Sequence, residues 1–191
     1  MGIGSLKKPK GTRVIGIDAS TKSLAYAVIE NGKALECGEE FFVGADVFER
    51  LSHAKRITEN LVKSGTLKAD YVAIEAAVRV NSIQTYADLA YVYGAIIAEL
   101  MANNPEVHKV YPISWQSGIG NPNLKTKEKA DLKTANPGKS VSWYQNEGRK
   151  MRKARTLVIA KHAGFLIPTD SDNIGDACGL AIFASQTLTR P

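Results

Sequence analysis

Apolar and polar positions along this chain follow two different periods, and the changes between them divide it into elements. Residues 13–18 (RVIGID) are a short apolar run of strand type, and residues 24–30 (LAYAVIE) repeat it after a small polar turn. Asn31-Gly32 is a strong hairpin signal, and residues 33–42 follow as a third strand, which predicts an antiparallel meander. The period then lengthens. Val47, Leu51, Ala54, Ile57 and Leu61 recur at helical spacing within 46–63, and Ser64-Gly65 ends that run. Residues 71–75 (YVAIE) read as a buried strand. Residues 82–103 read as a long helix with Ile83, Tyr86, Leu89, Ala90, Tyr93, Ile97 and Leu100 as its apolar positions, and 107–113 as a fifth strand.

Beyond that point the pattern breaks. Residues 117–140 are rich in Gly, Asn, Pro, Lys and Thr, which predicts a mobile polar excursion with a short helix near 125–133. A basic amphipathic helix is expected over 141–162, ended by Gly164, and a last apolar helix over 174–188. The order βββαβαβ followed by helices predicts an α/β fold, a mixed sheet with helices packed on it. The chain has 191 residues, 44% of them apolar, which suits one domain with a real core over 1–191. Residues 1–11 carry Lys7, Lys8 and Lys10 without an apolar run and read as a flexible basic arm, not a secretory signal.

The net charge of +6 favours polyanionic partners, but charge alone does not separate a nucleic-acid binder from an ordinary basic protein. Its distribution says more. Residues 105–164 hold 12 Lys/Arg against 4 Asp/Glu, so the remainder is slightly acidic. Cys37 and Cys178 belong to no CxxC or Cys/His pair, which argues against a structural zinc site and fits a reducing compartment. The apolar stretch 91–101 is too short to span a bilayer and contains Glu99, so no membrane association is expected. The expected compartment is a cytoplasm, bacterial or of a phage-infected host, with an organelle left open.

Three acids stand in apolar surroundings: Asp18 after Ile15 and Ile17, Glu75 after Val72 and Ile74, and Asp176 before Ala177, Cys178, Leu180 and Ala181. For each alone, the plain reading is an acid at the end of its element, exposed to water. Together they say more, because strands 13–18 and 71–75 can lie side by side with their C-terminal ends adjacent. The start of the last helix can reach the same edge. Three converging carboxylates repel one another, so a divalent cation must compensate. Two Mg²⁺ ions about 3.5–4 Å apart, with Mn²⁺ as a substitute, are the usual apparatus for phosphodiester hydrolysis by such acids.

The segments GIDAS (16–20), LAYAVIE (24–30), IEAAVRVNS (74–82) and DNIGDACGLAI (172–182) resemble, in order and over almost the whole chain, the motifs of the RuvC-like Holliday junction resolvases, with features of phage-type or divergent members. The first motif alone is shared with sugar-kinase-like ATPases and other RNase H-like proteins. The resemblance implies an RNase H-like fold with a five-stranded mixed sheet flanked by helices. It also implies a homodimer that cuts four-way DNA junctions by paired, Mg²⁺-dependent incision, with Asp18, Glu75 and Asp176 as catalytic and metal-binding acids. A fourth position is ambiguous. Asn173 occupies the place, three residues before Asp176, where bacterial members carry an acid or His. Asp172, one residue earlier, matches an acid of mitochondrial members. Asp172 is therefore a candidate fourth ligand or a helix cap in competition with Ser171, and Asn173 a possible ligand or cap.

The candidate DNA contacts are Lys125, Lys127, Arg149, Lys150, Lys153 and Arg155 in the basic region. Trp143 and Tyr144 fit base stacking and core anchoring equally well. The loop 76–82 matches the family segment that enters the junction centre. Many members carry an aromatic wedge there where this chain has Val78, so Arg79 or Asn81 are the candidates to replace it. A nuclease on other branched DNA or RNA, and a non-catalytic nucleic-acid-binding protein on the same fold, are the competing readings.

Overall fold

The structure, a computed structural model, describes residues 12–77, 82–168 and 171–188. The basic arm and the loop positions Val78, Arg79 and Asn81 lie outside the described residues. The strands are β1 (Arg13–Ala19), β2 (Ser23–Glu30), β3 (Lys33–Phe41), β4 (Tyr71–Glu75) and β5 (Glu106–Val110). The helices among the described residues are α1 (Val47–Lys63), α2 (Ile83–Asn103), α3 (Pro112–Gly118), α4 (Thr126–Ala135), α5 (Val141–His162) and α6 (Asp172–Thr187). The five strands form one sheet in the order β3-β2-β1-β4-β5. β1 pairs antiparallel with β2 and parallel with β4. The expected meander is present: β2 and β3 are antiparallel, and Asn31 and Gly32 turn the chain with φ of 54° and 75°, the left-handed pair a two-residue hairpin needs.

Alternation along the strands sends large side chains to one face and small ones to the other. Ile15, Ile17, Leu24, Val28, Val72 and Ile74 form one core with Ala54 and Val62 of α1 and Val92, Ile96 and Leu100 of α2. The opposite face presents Gly16, Ala25, Ala27 and Ala73, and there α6 is buried through Ala177, Cys178, Ala181 and Ala184. Small groups on both sides let the helix lie close on the sheet. At Gly16 the approach is closest: a Cβ would stand 2.2 Å from the Ala177 carbonyl oxygen and 2.3 Å from the Ala181 nitrogen. The sequence Gly-x-Asp of β1 thus seats the helix and presents an acid two residues later on the same face.

One expectation is corrected and one is met. The fifth strand, expected over 107–113, stops at Val110. Pro112 then starts α3, since its fixed φ and missing N–H suit the first turn of a helix. In the polar stretch 117–140 the short helix is real and runs from Thr126 to Ala135. It is held at its start by the Lys125 N–H, which donates to Glu128 at 2.7 Å, and against α5 by an ion pair of Glu128 with Arg155.

Candidate active site

The β1–β4 register pairs Ile17 with Ile74, so Asp18 and Glu75 follow as the next residues on adjacent parallel strands, on the face covered by α6. Asp176 is the residue before Ala177, whose carbonyl rests on Gly16. Ser171 caps α6, its hydroxyl accepting from the Ile174 N–H at 3.4 Å, which places Asp172 in the first turn beside Asp176. The sheet edge and the helix start therefore bring Asp18, Glu75, Asp172 and Asp176 to one place.

The electrostatics agree with that convergence. Burial raises the Asp18 carboxyl well above its usual range, and the charges of Glu75 and Asp176 raise it further. Glu75 is also raised by burial, against the opposing effects of the Trp115 hydrogen bond, Lys153 and Arg152. Asp176 is pushed up to about 7 by burial, with Glu75 and Asp172 adding to the shift and Lys153 and Arg152 opposing it. Lys153 reaches this cluster directly, its Nζ 3.4 Å from Asp172 Oδ2 and 4.0 Å from Asp176 Oδ2.

Carboxylate oxygens are the donor type that holds hard divalent cations such as Mg²⁺, and Asp18, Glu75, Asp172 and Asp176 are the residues here that could supply them. Among the described residues, no group of three or more His, Cys, Asp and Glu is arranged to hold one ion.

Several residues at the site were not singled out from the sequence. Trp115 of α3 is fully buried and donates its indole N–H to Glu75 Oε2 at 2.7 Å. It also packs on Gly179 of α6, where a Cβ would stand 2.4 Å from its ring. Tyr93 of α2 donates its hydroxyl to the Glu75 carbonyl. Glu39 lies in the same cross-strand row as Asp18, since Ala25 pairs with both. Its carboxylate accepts from Asn173 Nδ2 and from the Ser171 hydroxyl, each at 2.7 Å. Burial pushes the Glu39 carboxyl up, but the bonds from Asn173, Ser171 and Ser23 outweigh it and hold it below its usual range. Pro112 was the available signal for Trp115. Glu39 gave none, because β3 is half exposed and reads as a polar edge strand.

The ambiguous pair divides accordingly. Asp172 is not the cap and faces Lys153, whereas Asn173 is turned to Glu39 and Ser23. Of the basic candidates, Lys153 belongs to the acid cluster, and Arg155 is engaged with Glu128. Lys150 is exposed and pairs with Glu147 at 3.3 Å, while Arg149, Lys125 and Lys127 are exposed. Trp143 and Tyr144 stack edge to face at 5.3 Å, and the Tyr144 hydroxyl donates to the Asn136 carbonyl, so the pair anchors the start of α5.

Comparison with solved structures identifies the fold. Thermus thermophilus RuvC superposes on this chain with a TM-score of 0.60 at 12% identity, covering 93% of this chain and 97% of RuvC. The chain has the RuvC fold. The T. thermophilus RuvC in complex with Holliday junction substrate gives a TM-score of 0.63 at 11% identity, over 91% of this chain and 95% of that one. The yeast mitochondrial Holliday junction resolvase Ydc2 is 14% identical with a TM-score of 0.39, over 92% of this chain and 80% of that one. No protein-family model matches the sequence, and no characterised protein matches it by sequence. The five-stranded mixed sheet flanked by helices is thus the RNase H-like architecture of RuvC. No helix among the described residues is long and apolar enough to cross a membrane.

Proposed function

We propose that this chain is a metal-dependent endonuclease that resolves four-way DNA junctions as a homodimer. The observation that carries the reading is the meeting of Asp18 and Glu75, at the ends of β1 and β4, with Asp176 of α6, each with its carboxyl raised by burial, on a chain with the RuvC fold. Asp18, Glu75 and Asp176, with Asp172 at the rim, are the residues that would hold Mg²⁺. Bound there, Mg²⁺ supplies an activated water and charge compensation for the leaving 3′ oxygen.

The remaining contributions come from the protein's own side chains. Trp115 fixes the Glu75 carboxylate from behind through its N–H. Lys153 offsets part of the charge of Asp172 and Asp176 before substrate arrives and would meet a phosphate oxygen of the bound strand. Glu39 holds the first turn of α6, and with it the two helix acids, through Ser171 and Asn173. Exposed Arg149, Lys150, Lys125 and Lys127 supply sequence-independent backbone contacts.

The test is cleavage of a labelled mobile four-way junction beside linear duplex, flap and RNA/DNA hybrid, with and without Mg²⁺. Paired nicks in the junction alone, dependent on Mg²⁺ and lost in Asp18→Asn, support the reading. Cleavage of the hybrid or flap in preference replaces the substrate. Binding without cleavage of any of them replaces the enzyme with a binding protein.

A further inference from the structure

A cleft of about 540 Å³ opens between α4 and α5. Its apolar surface comes from Leu124, Leu132 and the ring of Tyr144, and its charge from Lys129, Lys133, Arg149 and Arg152. No carboxylate of the described residues lines it. Leu124 is buried at the floor, and Gly148 of α5 faces it: a Cβ at 148 would stand 2.7 Å from Leu124 Cδ1. A side chain there would have to displace the leucine or fill the cleft. The walls are tied to each other by the Glu128–Arg155 ion pair, and the turn between them by the bond from Tyr144 to Asn136. The space is therefore kept open by a built frame.

One residue of the cleft's lining, Arg152, is within electrostatic range of the acids. It bonds the Asn123 side chain, and its charge is felt by Glu75 and Asp176. From Arg152 back to Val141, the stretch of α5 along the cleft spans roughly 16 Å at about 1.5 Å per residue. An apolar floor with one aromatic ring and a cationic rim is the combination that holds a base and its phosphates in single-strand sites. The volume suits a small ligand and not a stack of base pairs.

We propose that the α4–α5 cleft is a subsite for an unpaired nucleotide of the DNA strand whose neighbouring phosphate lies at the acids. The base sits against Leu124, Leu132 and Tyr144, and the flanking phosphates meet Lys129, Lys133 and Arg149. The placement relative to a scissile phosphate rests on the nuclease reading above, whereas the binding of a single strand does not.

The experiment measures binding of fluorescein-labelled tetrathymidylate and of a blunt duplex by anisotropy in EDTA, in parallel with junction cleavage in Mg²⁺. Wild type should bind the tetranucleotide. Leu132→Glu, and separately Lys129→Glu with Lys133→Glu, should weaken that binding by about tenfold or more, the order of one lost base stack or its phosphates. Leu132→Met should retain it, and duplex binding should fall much less in every variant. The cleft is refuted if wild type does not bind the tetranucleotide, if the variants bind it as wild type does, or if duplex and tetranucleotide weaken by the same factor, which marks a general basic face. Tetranucleotide binding without junction cleavage sinks the nuclease reading and leaves the cleft. Cleavage without tetranucleotide binding does the reverse.

Discussion

At the scale of single residues, the site is a set of carboxylates held in an environment that disfavours their charge. Asp176 has an ordinary value of 3.8 and is pushed up to about 7 in the folded chain, by burial first and by Glu75 and Asp172 after it. The folded state therefore holds the proton more tightly than the unfolded one. Without divalent cation, stability should be greatest below about pH 4 and fall as pH rises towards about 7, and the raised carboxyls of Asp18 and Glu75 act in the same direction. Thermal melts in EDTA across pH 4–8 should show this decline, and Asp176→Asn should flatten it. A decline of equal slope in the mutant would remove Asp176 as its source. Mg²⁺ should raise the melting temperature most at the alkaline end, because only the ionised acids bind it.

The same logic governs catalysis. Asp18→Asn, Glu75→Gln and Asp176→Asn should each abolish cleavage while junction binding persists, and their metal-free stability should hold or rise slightly. Full activity in any one of them takes that residue out of the set. Lys153 lowers the Asp176 value, so Lys153→Gln should move the pH dependence of stability to higher pH, and an unmoved profile would show that its ion pairs are idle.

At the scale of elements, the position of α6 decides whether the acids meet. Two contacts set it. Gly16→Ala puts a methyl into the Ala177 carbonyl and the Ala181 nitrogen, both backbone atoms that cannot rotate aside. The variant should lose about 3 kcal/mol or more in denaturant unfolding. Glu39 sets the first turn of the helix through Ser171 and Asn173. Glu39→Ala should cost about 1–3 kcal/mol for the unpaired donors it leaves, and should raise the Mg²⁺ needed for half-maximal cleavage because Asp172 and Asp176 ride on that turn. Unchanged Mg²⁺ dependence with lowered stability would make Glu39 a structural anchor only.

At the scale of the whole molecule, α2 carries more apolar surface than one sheet can cover. Val92, Ile96 and Leu100 are buried, yet Ile83, Tyr86, Tyr91 and Met101 are exposed, and Tyr91 lies 5.9 Å from the ring of exposed Phe48 of α1. Paired incision needs two active sites, and this face is where a second copy would sit. Light scattering should give twice the chain mass, and Tyr86→Glu with Tyr91→Glu should give the single-chain mass. A monomer in the wild type, with and without junction, would undo the paired model. The basic region 105–164 should make binding salt-sensitive, with a log–log slope that drops by about 0.9 for each phosphate contact removed from duplex-like DNA.

The sequence by itself determined the elements and picked out the acids that the fold brings together. Periodicity placed the long helices to within a residue or two, because burial of one face repeats every turn regardless of what covers it. It also singled out Asp18, Glu75 and Asp176, because an acid inside an apolar run is costly wherever the run packs. Tertiary structure alone decided what surrounds them. Trp115 and Glu39 reach the site from α3 and β3, and Asn173 turns away to Glu39, through contacts between residues as far apart as 40 and 134 positions, which leave no local period. The cleft between α4 and α5 is of the same kind. Its residues read along the chain as a polar excursion and a basic helix, and only packing the two together sets Leu124 and Leu132 against Tyr144 and Gly148 of α5.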